Sequence, residues 1–190
     1  MILTGSWRVG RPVAAGGVRV LDRFVGNSTN RLDSKGRVSI PAPFRAVLAK
    51  DGFEGLYIHP SLDQQALDCG GHALIQQIAG LLDHFRPYTP EHDVYSVALM
   101  GVSETLKMDA EGRIILTESL KAFAGISGEV TFVGQGYKFQ IWEPSRFRAH
   151  LEEARNQVRE LRKVLGARHV GAGPEAIPGQ AQPQPRGVRE

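Results

Sequence analysis

Apolar and polar positions alternate in two stretches of this chain, and the two stretches repeat one another. Four apolar positions recur as apolar positions 76 residues later, namely Leu32/Met108, Val38/Ile114, Ile40/Leu116 and Phe44/Leu120. Alternation with a period of two predicts short β-strands, and the glycines Gly36 and Gly112 predict a tight turn within each stretch. The matched frame therefore indicates an internal duplication of one small module.

Each copy predicts the same succession of elements, in which two strands flank the turn as a hairpin and a short helix, a strand pair and a longer helix follow. The short helices are expected at 43–50 and 118–124, the second capped by Thr117. The strand pairs are expected at 56–59 with 66–68 and at 130–133 with 138–142. The longer helices are expected at 72–85 and 145–165, with a further helix near 90–100. The fold class predicted from this succession is α+β.

The same patterns divide the chain into segments. We expect a first repeat at 24–86, a connecting helix at 87–102 and a second repeat with its C-terminal helix at 103–165. Residues 1–23 and 166–190 lack a core-forming pattern, so we expect a disordered N-terminal extension and a disordered tail rich in Gly, Pro and Gln.

Composition excludes several classes of protein. No apolar run approaches the roughly 18 residues of a membrane span, and the N-terminal segment lacks the pattern of a signal peptide. The single cysteine, Cys69, excludes an intrachain disulfide, and with only His72 nearby it does not make a zinc site. We expect a cytoplasmic protein with no catalytic residue, no metal and no cofactor.

The formal net charge of +3 is unevenly distributed along the chain. Residues 24–143 contain 10 Lys and Arg against 14 Asp and Glu, whereas both ends of the chain are basic. A nucleic-acid face in the acidic middle must therefore come from local placement of a few cations and not from bulk charge.

A D-x-x-x-R turn occupies the same place in both copies, as Asp33–Arg37 and as Asp109–Arg113. The carboxylate can accept hydrogen bonds from the N–H groups of the turn and can hold the arginine in one rotamer. The planar fork of the arginine suits a phosphate or a guanine edge. The alternative is a solvated turn with a surface ion pair that serves folding alone.

The cations around the two turns differ. Arg31, Lys35 and Arg37 alternate in the first copy and are expected on one side of the hairpin. In the second copy Lys107 and Arg113 remain, but Glu111 stands where the first copy has Lys35. The second turn is therefore predicted to be the weaker cationic patch.

The stretch from Phe24 to Arg45, together with the second turn and the Ile-Ile-Leu that follows it, resembles the MraZ family. That family is similar to the AbrB/SpoVT swapped-hairpin proteins. The resemblance implies a duplicated AbrB-like swapped-hairpin β-barrel and a ring-shaped homo-oligomer associated with the nucleoid. It also implies binding to repeated promoter sites of the protein's own cell-division and cell-wall operon, usually as a repressor.

The resemblance assigns double-stranded DNA as the partner and implies a set of site residues. The DNA-binding positions would be Arg31, Lys35, Arg37, Lys107 and Arg113, and the structural partners in the turns would be Asp33, Gly36, Asp109 and Gly112. Two alternatives stay open. One is an oligomeric, antitoxin-like protein-interaction module in which the turns are purely structural, and the other is an enzyme acting on a cell-wall precursor.

Overall fold

The computed structural model describes residues 22–170, with side chains described through 163. The segments expected to be disordered, 1–23 and 166–190, lie almost entirely outside these residues. The last helix runs to Val170 and so continues into the segment predicted as the tail.

The first repeat contains four strands and two helices in the predicted order. They are β1 (Asn27–Arg31), β2 (Arg37–Ser39), α1 (Ala42–Asp51), β3 (Leu56–Pro60), β4 (Leu67–Gly70) and α2 (His72–Leu82). Helix α2 ends earlier than predicted because its last turn tightens: His84 and Phe85 donate their N–H groups to carbonyls three residues back. The ring of Phe85 then stacks on the ring of Tyr95, with the two centroids 4.8 Å apart.

The second repeat has the same elements in the same order. A helix, α3 (Pro90–Ser96), continues as one π-helical turn (Val97–Gly101) and leads to β5 (Glu104–Leu106), β6 (Arg113–Ile115), α4 (Glu118–Ala124), β7 (Glu129–Gly134), β8 (Phe139–Trp142) and α5 (Pro144–Val170). Thr117 occupies the N-cap position of α4 as predicted, but its hydroxyl donates to Glu104 Oε1 instead of capping the helix. The α+β class is confirmed.

Most of the strand pairing joins the two repeats, although β3 pairs with β4 and β7 with β8 within their own repeats. One antiparallel sheet has the order β1-β7-β8-β4-β3-β5, and β2 pairs with β6 in a separate two-stranded ribbon. Four ladders cross between repeats, namely β1 with β7, β2 with β6, β3 with β5 and β4 with β8. Equivalent strands of the two copies therefore occupy equivalent places, and neither repeat completes a sheet by itself.

The predicted pairing of the two strands flanking each turn is wrong. β1 pairs with β7 and β2 pairs with β6, so the strands on either side of the first turn diverge. A three-residue strand such as β2 gains little from a local hairpin. Pairing with the other repeat instead places Val38 opposite Ile114 and buries both side chains.

A single apolar cluster contains buried side chains from both repeats. It includes equivalent residues of the two copies, among them Val38 with Ile114, Ile40 with Leu116 and Phe44 with Leu120. A second, smaller cluster on the other side of the sheet contains Leu74, Ile78, Leu82 and Leu99. Leu81 of α2 is 41% exposed and lies outside this cluster.

Helix α5 belongs partly to a separate compact unit that begins at Arg148. Its first turn lies within the main unit, where Phe147 is buried near Trp142 with ring centroids 6.2 Å apart. Farther along the helix, Val158 and Leu161 are 53% and 61% exposed. Among these apolar side chains of α5, only the one in the first turn is buried.

Neighbouring isoleucines of β6 test the role of the inter-repeat ribbon. Ile114 is fully buried and Ile115 is 56% exposed. We expect Ile114→Ala to lower the free energy of unfolding by about 2–5 kcal/mol, because a cavity opens in the shared core. Ile115→Ala is the matched control and is expected to cost under about 1 kcal/mol. Urea unfolding of both variants measures the free energy of unfolding. Equal losses of stability would contradict the assignment of Ile114 to the shared core.

Candidate nucleic-acid interface

The first D-x-x-x-R turn is held by a single carboxylate. Asp33 Oδ1 accepts the backbone N–H groups of Lys35 and Arg37, both at 2.9 Å, and Asp33 Oδ2 accepts Arg37 Nε–H at 2.7 Å. The backbone closes on itself, since Asp33 donates to the Arg37 carbonyl at 2.9 Å and Gly36 donates to the Asp33 carbonyl at 3.0 Å. Asp33 therefore orders both the turn and the arginine, as predicted.

The second turn repeats this arrangement. Asp109 Oδ1 accepts the N–H groups of Glu111 and Arg113 at 3.0 and 2.9 Å, and its Oδ2 accepts Arg113 Nε–H at 2.8 Å. Gly36 and Gly112 have φ angles of +72° and +76°, which a side chain would strain. The sequence predicted this requirement for glycine in both turns.

The hydrogen bonds at both carboxylates stabilise their charged form. Backbone donation from Arg37, reinforced by its side chain, lowers the pKa of Asp33 from its ordinary 3.8 to about 2. Backbone and side-chain donation from Arg113 likewise lowers the pKa of Asp109. The bond to Asp109 raises the pKa of Arg113, with a smaller contribution from the charge of Asp33 in the other repeat.

The β2–β6 ribbon brings the two arginines to one face. The register pairs Arg37 with Ile115, Val38 with Ile114 and Ser39 with Arg113. Directly opposed residues of an antiparallel pair share a face, and successive residues alternate between faces. Because Val38 and Ile114 point into the core, both arginines lie on the outer face, diagonally across the ribbon.

Each turn is also fixed by the other repeat. The N–H of Leu116 donates to the Gly36 carbonyl at 3.2 Å, and the N–H of Ile40 donates to the Gly112 carbonyl at 2.9 Å. These bonds extend the ribbon ladder to the turn glycines. The arginines consequently project from a frame that both copies must build together.

Two further cations, which the sequence pattern did not single out, lie beside the turns. Arg45 of α1 donates from Nη1 to the Glu111 carbonyl at 2.9 Å, and a Cβ at Gly112 would collide with the Arg45 side chain. A Cβ at Gly36 would lie 3.6 Å from Lys121 Nζ of α4. Arg45 and Lys121 are separated by the repeat offset of 76, and this matched charge is the signal that could have identified them.

The remaining predicted cations are exposed but placed differently. Lys35 lies at the tip of the first turn, and Lys107 follows β5. Arg31 belongs to β1 in the six-stranded sheet, where its Nη2 lies 3.7 Å from Glu129 Oε1. The basis for placing Arg31, Lys35 and Arg37 on one side was a β1–β2 hairpin, and that pairing does not form.

The predicted difference between the turns has a structural counterpart. Glu111 Oε2 contacts Arg113 Nη2, so the second arginine lies between two carboxylates. At the first turn Arg37 pairs with Asp33, and Lys35 occupies the position of Glu111.

Some polar groups elsewhere in the described residues are used within the fold. Asp68 accepts hydrogen bonds from Lys138 Nζ and Gln140 Nε2, both at 2.7 Å, and this buried network lies between β4 and β8. Cys69 packs in the core, whereas His72 is at the surface with its Nδ1 3.1 Å from the Asp51 carbonyl oxygen. Within residues 22–170 no helix is long and apolar enough to cross a membrane.

The lowered carboxylate pKa values predict how stability depends on pH. Because the folded pKa of Asp33 lies below its ordinary value, its contribution is complete above about pH 4 and is lost as the pH falls toward about 2. We expect Asp33→Asn combined with Asp109→Asn to flatten the fall in melting temperature across this range. Asp63→Asn, in an exposed loop, is the control, and identical profiles for the double variant and the wild type would refute the role of the two carboxylates.

Comparison with known proteins identifies relatives over most of the chain. Residues 99–164 match the family model described as "MraZ protein, putative antitoxin-like". A protein of Methylocella silvestris named Transcriptional regulator MraZ is 68% identical over 83% of this chain and 95% of its own length. Proteins of the same name from Beijerinckia indica and Parvibaculum lavamentivorans are 64% and 39% identical, over 90% and 82% of this chain and 100% and 97% of their own lengths. The chain therefore belongs to the MraZ family of transcriptional regulators.

Proposed function

We propose that this chain is a sequence-specific DNA-binding transcriptional regulator that contacts double-stranded promoter DNA through the outer face of its β2–β6 ribbon. One observation carries the proposal. Two arginines, each locked by an aspartate of its own turn, share one face of a two-stranded antiparallel ribbon.

The dimensions of the ribbon suit a duplex. The major groove of B-DNA admits a two-stranded β-ribbon. Diagonal neighbours on such a ribbon have Cα atoms roughly 7–8 Å apart, so Arg37 and Arg113 can reach the same groove. Each uses Nε for its aspartate, and its Nη groups are further donors, of which Nη2 of Arg113 contacts Glu111.

Cations around the turns supply the local positive charge that the acidic middle of the chain lacks. We assign DNA contact to Arg37, Arg113 and Lys35, and a flanking role to Arg31 and Lys107. Arg45 supports the second turn through its bond to the Glu111 carbonyl, and Lys121 Nζ lies near Gly36 of the first turn. Asp33, Gly36, Asp109 and Gly112 maintain the geometry of the turns.

The finer assignments follow the family resemblance. We propose a duplicated AbrB-like swapped-hairpin module, with repeats at 24–86 and 103–165, a connecting helix at 87–102 and flanking segments that contribute no core. Exchange of strands between the repeats supports it. The protein would repress its own cell-division and cell-wall operon at repeated promoter sites, in the cytoplasm and on the nucleoid.

Self-association into a ring strengthens this proposal physically. One ribbon contacts few phosphates and binds weakly at physiological salt, whereas linked copies on repeated sites gain through effective concentration. Among the described residues, seven of the thirteen exposed large apolar side chains lie between residues 81 and 102, including Val94 and Val97 of the helical segment α3 to Gly101. We infer that this segment contributes to a contact surface, because contiguous exposed apolar patches mark such surfaces.

An antitoxin-like interaction module is the second candidate. The family description that matches residues 99–164 includes that term. The aspartates would then be structural, and the arginines would serve only to satisfy them. The two candidates differ in what the arginine side chains contribute to DNA binding.

Arginine substitution tests DNA binding directly. We expect Arg37→Ala combined with Arg113→Ala to abolish binding to the DNA upstream of the protein's own gene, because the substitutions remove both guanidinium groups from the ribbon face. Fluorescence anisotropy at two salt concentrations measures the affinity. Wild-type affinity is expected to fall steeply with salt, with a slope of roughly −0.9 per phosphate contact.

The matched control is Arg155→Ala combined with Arg159→Ala, which removes the same charge from exposed positions outside the ribbon and outside residues 81–102. It is expected to retain binding. Equal binding by the ribbon variant and the wild type would show that other cations contact the DNA. An absence of wild-type binding, with salt-insensitive retention of a partner protein, would favour the interaction module.

Charged substitutions on the exposed apolar segment test assembly. We expect Val94→Asp combined with Val97→Asp to reduce the molecular mass measured by light scattering, because the carboxylates would lose hydration in the contact. Leu62→Asp, at an apolar side chain that is 52% exposed elsewhere, is the control. An unchanged mass for the double variant would place the contact elsewhere.

A further inference from the structure

The two turns share one backbone conformation and differ at two exposed positions, Ser34/Ala110 and Lys35/Glu111, of which only the second changes the charge. Lys35 and Glu111 each lie two residues after the aspartate and two before the arginine, and both donate their N–H to that aspartate. Corresponding hydrogen bonds of the two turns agree to within 0.1 Å. The fold therefore accepts either side chain at this position, and the difference affects the surface alone.

Glu111 changes what its neighbouring arginine can offer a ligand. An arginine has five N–H donors, of which Nε–H is committed to the aspartate in both turns. Arg113 also contacts Glu111 through Nη2. Formal charge over the aspartate, the variable residue and the arginine is +1 in the first turn and −1 in the second.

This charge difference separates two classes of DNA group. A phosphate is attracted by the first turn and repelled by the two carboxylates of the second. A base edge carries no net charge, and a G·C pair presents acceptors for arginine on guanine and an N4 donor for a carboxylate on cytosine. Glu111 therefore penalises phosphate without penalising the edge of a G·C pair.

We infer that Glu111 is a specificity-determining residue. It makes the second turn a reader of base edges, while Lys35 and Arg37 make the first turn an anchor for phosphates. The inference rests on the proposed function, since it requires the ribbon to lie in a groove of DNA. Glu111 lowers affinity for arbitrary DNA and so raises the ratio between specific and non-specific binding.

The test compares two duplexes. One carries the sequence that the wild type selects from a random duplex pool, and the other carries the same bases scrambled. Glu111→Gln removes the carboxylate with little change of shape, and Glu111→Lys gives the second turn the residue of the first. Lys35→Gln is the matched control at the equivalent position.

We expect Glu111→Lys to raise affinity for the scrambled duplex by about tenfold and to steepen its salt slope by about 1, from one added phosphate contact. Affinity for the selected duplex should change less, so the ratio of the affinity for the selected duplex to that for the scrambled duplex falls. Glu111→Gln should lower this ratio in the same direction. Lys35→Gln should weaken binding to both duplexes equally, flatten the salt slope by about 1 and leave the ratio of the two affinities unchanged.

Other outcomes separate the role of Glu111 from the proposed DNA-binding function. If Glu111→Lys raises both affinities equally, or if Lys35→Gln lowers the ratio as much as Glu111→Gln does, this inference is wrong and DNA binding by the ribbon stands. If the wild type selects no sequence and binds neither duplex, the proposed function and the inference are both wrong. Circular dichroism of each variant verifies that the fold is retained.

Discussion

The pairing of β2 with β6 is the interaction on which the rest of this structure depends. Each strand is three residues long, and neither has a partner within its own repeat. When they pair, Val38 and Ile114 close one side of the shared core, and the ladder continues to the carbonyls of Gly36 and Gly112. The same few hydrogen bonds thus complete the core and fix both turns.

Preorganisation of the arginines follows from that frame. Asp33 and Asp109 each accept three hydrogen bonds, two from the turn backbone and one from the arginine. A free arginine loses considerable rotamer entropy when it binds, and holding Nε in advance reduces that loss. The lowered pKa values of both carboxylates express the same interactions, because donors that stabilise the anion also order the side chain.

Duplication produces a symmetric frame whose surface residues can diverge. The matched core positions around the turns keep their apolar character in both copies, because they belong to one shared apolar cluster. Lys35 and Glu111 are free to differ because both are exposed and the turn uses only their backbone N–H groups. An interface built on such a frame can assign different tasks to its two halves.

Much of the site was predictable from local sequence. The apolar alternation revealed the repeat, and an aspartate followed by a glycine with positive φ identified both turns and their arginines. Glutamate in place of Lys35 indicated the weaker second patch. Helices α1, α3, α4 and α5 occur close to their predicted positions, because capping residues, prolines and helical periodicity act over one or two turns of chain.

Strand partners and the grouping of the site were decided by tertiary structure alone. A period of two shows which side chains share a face, but it does not show which strand lies alongside. The local pattern therefore predicted a hairpin, and only the family resemblance implied an exchange of strands. Arg37 and Arg113 share a face only because strands 76 residues apart pair in one register. Arg45 lies beside the second turn, and Arg31 faces Glu129, for the same reason. The sequence by itself determined the turns and their chemistry, whereas burial of a core common to both repeats determined where those turns meet.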